Sequence, residues 1–199
     1  MNISSRIAGA AAWVFLAVIV LVIGILQLTD FLPGACRELD VSEEAPQVSS
    51  ELPPAGSLRD FLNSNPHGSI VIICVNGRPS QQTWQALRRG MVRIGAQREI
   101  GPILGASFVL IGVMDARPGS AVFKMGVQEI EIRLRKGQEI GSTGVVAPQS
   151  IVAKSIGDSE SIGRAVISVA GVWLSPNKVG VNVVVIDGGG RCIRRGSFQ

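Results

Sequence analysis

The chain has 199 residues, enough for one ordinary domain and an appendage. A hydrophobic share of 46% and a mean hydropathy of +0.35 exceed those of a typical soluble domain, which excludes a disordered chain and points to a membrane segment. The net charge of +4 and pI near 9.4 are too modest to define a nucleic-acid binder, and three Cys with one His show no zinc-ligand spacing.

Ile7 to Leu28 carries no charge and only Gln27 as a strongly polar side chain. At ~1.5 Å per residue it is long enough to cross a hydrocarbon core of ~30 Å. A cleaved signal peptide normally has an apolar region of only about 7–15 residues. A lipoprotein cleavage site at Leu32-Pro33-Gly34-Ala35-Cys36 has Pro33 where leucine is wanted. The expectation is therefore an uncleaved single-pass transmembrane helix within residues 1–36, with the lipid bilayer as its partner. Arg6 and the α-amine precede the span and Asp30, Glu38, Asp40, Glu43 and Glu44 follow it, so the N-terminus is expected in the cytoplasm and the C-terminal domain outside it. Gly9, Ala10, Ala11, Ala12 and Ala17 permit close contact with helices of other membrane subunits. Residues 37–56, rich in Pro, Ser and Glu, read as a flexible tether.

The globular part begins at Ser57. Ser57 is an N-cap candidate, Leu58, Phe61 and Leu62 share one helical face, and Asn65-Pro66 stops the helix. His67 follows in a turn with no Ser, Cys or carboxylate partner in its local sequence, and reads as a turn histidine. Gly68 to Gly77 is a short apolar run of strand length. From Ser80 to Ile94 the spacing of Trp84, Leu87, Met91 and Ile94 predicts a surface helix, with Arg88, Arg89 and Arg93 pointing away from the stripe. Those arginines suit an anionic lipid or glycan phosphate, or simply a solvated face. Without aromatic interleaving or a nucleic-acid motif, no nucleic-acid partner is expected.

Phe108 to Val113 is a further buried strand, and Arg117-Pro118-Gly119-Ser120 turns the chain. Val127 to Arg135 alternates apolar and charged residues as a half-exposed strand does. Gly137 to Ser150 looks like a junction. Ile151–Lys154 and Ala165–Val169 are two more strands separated by a polar turn at Gly157-Asp158-Ser159, and Ser175-Pro176-Asn177 is a turn. Val181 to Ile186 is a β-branched central strand leading through Gly188-Gly189-Gly190 into a hairpin. It and the strand at Ile70 imply one sheet core. Cys74 and Cys192 lie in or beside these strands, as a disulfide or as buried free thiols.

The run Ala165 to Trp173, with Ser175-Pro176-Asn177, Gly180 to Asp187 and Gly196-Ser197-Phe198, resembles the opening half of the interleukin-like EMT inducer (PANDER-like) domain. Leu58-Arg59-Asp60-Phe61-Leu62, Gly68 to Ile73, the Trp84 to Gly95 helix, Ile103-Leu104-Gly105 and Leu110-Ile111-Gly112 resemble that family's closing half. Here the order is inverted, which implies a circular permutant over residues 57–199: closing half 57–135, junction 136–150, opening half 151–199. The rival is two half-domains from a tandem pair. The resemblance implies an α/β fold, a mixed β-sandwich of two packed sheets flanked by short helices. It also implies binding rather than catalysis, since the family includes the lectin-like stem domain of protein O-mannose N-acetylglucosaminyltransferase. At the positions matching that domain's sugar-binding groups this chain has Val179, Asn76-Gly77 and Ala106-Ser107, which lack the planar polar groups and aromatic platform a sugar needs.

No Gly-x-Ser-x-Gly elbow, His cluster or phosphate-binding glycine loop is present in the sequence, so no catalytic residue, metal or cofactor is assigned. The expectation is a membrane-anchored, non-catalytic interaction module, an accessory subunit of a larger membrane complex, with Arg88, Arg89, Arg93 and Trp173 as its candidate interaction surface. The second expectation is a lectin-like module binding glycan.

Overall fold

The computed structural model describes residues 57–97, 107–157 and 164–199. The span Ile7 to Leu28, the tether 37–56, Ile103 to Gly105 and the turn residues Asp158 and Ser159 lie outside the described residues. Among the described residues no helix is long and apolar enough to cross a membrane.

In chain order the elements are α1 (Leu58–Asn63), β1 (Ile70–Asn76), α2 (Gln81–Met91), β2 (Ser107–Val113), β3 (Val122–Gly126), β4 (Ile130–Leu134), β5 (Ile151–Ile156), β6 (Arg164–Val169), β7 (Val172–Trp173), β8 (Gly180–Ile186) and β9 (Cys192–Phe198). Each helix is started by a serine. The Ser57 hydroxyl accepts from the Asp60 N–H and donates to the Asp60 carboxylate, and Ser80 does the same for the N–H and hydroxyl of Thr83.

The strands form a five-stranded sheet of order β3-β2-β1-β8-β9 and a four-stranded sheet of order β4-β5-β6-β7. The sheets expected to be mixed pair antiparallel at every named strand, and the domain is predominantly β. The reason lies at β1. It takes β2 on one side and β8 on the other, each running opposite to it, so no right-handed parallel crossover is needed. β3 and β7 are absent from the sequence-based expectation. Val122 to Gly126 lacks a clean alternation, and β7 is a two-residue edge. Val127, expected in a strand, instead stands exposed before β4.

The molecule has three layers. Val71, Ile73 and Val75 of β1, Phe108 and Leu110 of β2, and Val181, Val183 and Val185 of β8 pack under the helices against Leu58, Phe61, Leu62, Trp84, Leu87 and Met91. Each such side chain gains about 1.5–3 kcal/mol relative to exposure. The opposite faces of the same strands, through Ile70, Ile72, Cys74, Val109, Ile111, Val184 and Ile186, pack against Ile132, Ile151, Ala153, Ala165 and Ile167 of the second sheet. β1, β2 and β8 are therefore buried on both faces, as their continuous apolar runs demand.

Two polar devices tie the sheets together, and a third closes the loop before β8. The Ser155 hydroxyl on β5 donates to the Val75 carbonyl at 2.7 Å and accepts from the Phe108 N–H at 3.0 Å, where the β1–β2 ladder ends. The Ser107 hydroxyl accepts from the Gly157 N–H at 2.6 Å across the same gap. Asn182, fully buried in β8, closes the preceding loop by accepting from the Lys178 N–H and donating to its carbonyl, while Asn76 donates to Asn177. Gly112 is required by close approach, because a Cβ there would lie 2.0 Å from the Ile94 carbonyl oxygen.

The junction expected at 136–150 is ordered. A bridge between Glu139 and Val146 closes it, and Ile140 and Ala147 are buried in the inter-sheet core. Cys74 and Cys192 are both buried free thiols. The register sets Cys192 opposite Ile186 and Cys74 opposite Asn182, so they lie four residues apart in level and two strands apart, roughly 13 Å by 10 Å. That exceeds disulfide reach. Burial pushes the Cys74 thiol far above its usual range and raises that of Cys192.

Replacing Ser155 by Ala strips a partner from two buried backbone groups and is expected to lower unfolding stability by about 1–3 kcal/mol in chemical denaturation. Ser168→Ala, on the outer face of the same sheet, is expected to stay within about 0.5 kcal/mol. Equal effects would show that the Ser155 hydroxyl does not pin the sheets.

Candidate interaction surfaces

The four residues expected to form one interaction surface fall on three different features. Arg88 and Arg89 stand exposed on the outward side of α2. With Gln85 and Val92 they recur at positions i, i+3, i+4 and i+7, a second stripe opposite the buried one, and these four residues line a depression of about 460 Å³. Neither arginine has a partner among the described residues.

Arg93 does not share that freedom. Its guanidinium donates from Nε and Nη2 to Asp115 Oδ1 at 3.1 and 2.7 Å, and from Nη1 to Asn63 Oδ1 at 3.2 Å. It clamps the end of α1 to the loop after β2. His67 Nδ1 lies 3.3 Å from Asp115 Oδ2, so the turn histidine does meet a carboxylate, 48 residues away in sequence. Hydrogen bonds from Arg93 first, and then from His67, hold the Asp115 carboxyl below the usual aspartate range. Asp115 adopts φ of 62°, the left-handed conformation, which turns its side chain back toward Arg93.

Arg194 is likewise committed to structure. It lies 4.3 Å over the Phe61 ring and donates from Nη1 to the Phe61 carbonyl and the Ser64 hydroxyl at the C-terminal end of α1. A bulge at Ile193, between the pairs Val185↔Arg194 and Ile186↔Cys192, puts Arg194 on the helical side of β9. At the hairpin before it, Asp187 accepts from the N–H groups of Gly189 and Arg191 and from Arg191 Nε, each at 2.9 Å. Burial works to raise the Asp187 carboxyl, but these hydrogen bonds together hold it below its ordinary value. The glycine turn is thus closed by its own aspartate.

Trp173 lies on the far side of the sandwich from α2, two layer spacings or about 20 Å away. It is 58% exposed on the edge strand β7. Strand register places it in a row with Ser168, Val152 and Arg133 across the outer face of the four-stranded sheet. The next rows hold Val166, Lys154 and Glu131, then Ile156 and Arg164. Val152, Ile156 and Val166 are half-buried, and no described helix covers them. Two of the charges around them are paired: Lys154 with Glu129 at 2.6 Å, and Arg133 with Glu131, whose carboxyl that hydrogen bond holds below its usual range. Sequence reading missed Val152, Ile156 and Val166 as surface residues. Ile151-Val152-Ala153 and Ala165-Val166-Ile167 are apolar at both parities, so no alternation marks the outward positions.

The lowered Asp115 carboxyl predicts a pH dependence. A carboxyl held below its unfolded value near ~3.9 stabilises the fold fully above that pH and loses the contribution as pH falls through the folded value. The stability difference between the native chain and Asp115→Asn is therefore expected to shrink as pH falls below about pH 4. A gap that instead widened in acid would refute the Arg93–Asp115 clamp. Comparison with protein-family models, curated proteins and solved structures finds no match for this chain.

Proposed function

We propose that this chain is a non-catalytic module, tethered to a membrane by Ile7 to Leu28, that docks a partner subunit of a membrane complex on the outer face of its four-stranded sheet. The observation that carries the reading is the composition of that face. The outward side of an antiparallel sheet facing water is normally polar. Here Val152, Ile156, Val166 and Trp173 stand accessible and apolar, and Lys154 and Arg133 among them are already paired with Glu129 and Glu131. An aromatic anchor with apolar neighbours and paired charges among them suits a protein interface.

The permuted interleukin-like arrangement belongs to the same proposal. Strand β9 runs against the first helix, where Phe198 meets Phe61 edge-on with ring centroids 5.3 Å apart. The resemblance places α1 immediately after this strand in the family order, and the closeness of the two fits that order.

A second reading has its own observation. Trp173 and the neighbouring Ser168 offer an aromatic platform beside a hydroxyl, a combination that suits a sugar ring.

The test is affinity purification of the full chain in a gentle detergent, beside its Trp173→Ala variant. Stoichiometric recovery of one membrane partner with the native chain, and its loss with Trp173→Ala, is the expected result. Trp173 is exposed enough that the substitution should leave unfolding stability within about 0.5 kcal/mol. A chain that purifies alone rejects the subunit reading. Trp173-dependent retention on a glycan array would then favour the sugar.

A further inference from the structure

The charge of the domain is not evenly used. Among the described residues sixteen Lys and Arg stand against six Asp and Glu, a net charge near +10 within a chain whose total is +4. All six carboxylates are occupied: Asp60 by the Ser57 hydroxyl, Glu139 by the Gly144 N–H, and Asp115, Glu129, Glu131 and Asp187 by basic side chains. Among the described residues α1 and α2 carry one carboxylate, Asp60, held by an uncharged hydroxyl, against Arg59, Arg88 and Arg89.

Those cations are grouped. Arg88 and Arg89 share the outward stripe of α2, a helix without a single acidic residue, and Arg59 stands exposed on α1 in the same outer layer. Like Arg88 and Arg89, Arg59 has no partner among the described residues. Gln81, Gln82 and Gln85 supply neutral hydrogen-bonding neighbours on the exposed side of α2. The depression lined by Gln85, Arg88, Arg89 and Val92 mixes guanidinium groups with a half-buried aliphatic side chain. That mixture suits a surface presenting phosphate oxygens above hydrocarbon.

From these observations we infer that the outward face of α1 and α2, through Arg59, Arg88 and Arg89, docks on the headgroups of an anionic lipid bilayer. The inference rests on the membrane-anchored reading above, which puts a bilayer next to the domain. Residues 37–56 allow it. If they form the tether their composition suggests, a coil of that length spans roughly 25 Å end to end. Docking by this face would turn the apolar sheet face, on the opposite side, away from the lipid and toward a partner subunit. Each guanidinium near an anionic surface is worth about fivefold in the docked population, and salt screens it. Arg93 and Arg194 contribute no such term, because both are committed to the end of α1.

The experiment reconstitutes the full chain into nanodiscs of phosphatidylcholine alone and of equal parts phosphatidylcholine and phosphatidylglycerol. Hydrogen exchange is then followed across Gln81 to Met91, in the native chain and in the double variant Arg88→Gln, Arg89→Gln. The expected result is slower exchange of α2 in the anionic discs only, reversed by high salt and weakened about 25-fold by the double variant. Incorporation without any dependence on lipid charge overturns the docking and leaves the anchor reading standing. Equal Arg88- and Arg89-dependent protection in both kinds of disc also overturns it, and assigns the arginines to an anionic group of the protein, such as the acidic residues between Glu38 and Glu51. A chain that fails to enter either disc overturns the anchor reading and the docking with it.

Discussion

Strand β1 has no solvent-facing side. Every residue from Ile70 to Asn76 is buried, one parity beneath the helices and the other against the second sheet. A backbone so placed must satisfy its N–H and C=O groups entirely within the protein, and β2 and β8 do so along most of its length. Where the β2 ladder ends, the Ser155 hydroxyl completes it by serving Val75 and Phe108 at once. That hydroxyl belongs to the other sheet. The satisfaction of β1 therefore sets the position of β5, and through β5 the position of β4, β6 and β7.

Asymmetry of the two outer faces follows from this stacking. The five-stranded sheet is capped by α1 and α2, whose apolar stripes cover β1, β2 and β8. The four-stranded sheet has no described helix above it, yet Val152, Ile156, Val166 and Trp173 occupy its outward positions. The helical layer in turn carries, on its own outward side, arginines without a partner among the described residues. One side of the molecule thus offers positive charge and the other an apolar sheet face. A module held between a charged surface and a protein partner would be built in this way.

Much of the scaffold could be read from the residues. The buried stripe of Trp84, Leu87 and Met91 appears at its expected spacing, with the Ser57 cap in place. The runs at Ile70, Phe108 and Val181 are the three strands buried on both faces, because continuous apolar composition over seven residues fits little else. The candidate surface was less legible. Arg88, Arg89 and Arg93 look equivalent along the helix, and only the fold brings Asp115 and Asn63 to Arg93. His67 has no carboxylate in its neighbourhood of the chain, because Asp115 reaches it from the loop after β2.

The sequence by itself determined where the chain is apolar, where it turns and where helices begin, since these depend on a residue and its near neighbours. It also placed the acidic stretch after residue 36 apart from the basic domain. Tertiary structure alone decided which parity of β5 and β6 faces water, which arginines are spent on carboxylates, and that Trp173 and Arg88 lie on opposite sides. Exposure and pairing are properties of what comes to lie alongside, and for Ser155, Arg93 and Trp173 those neighbours are set by strand register and layer packing rather than by the adjoining residues.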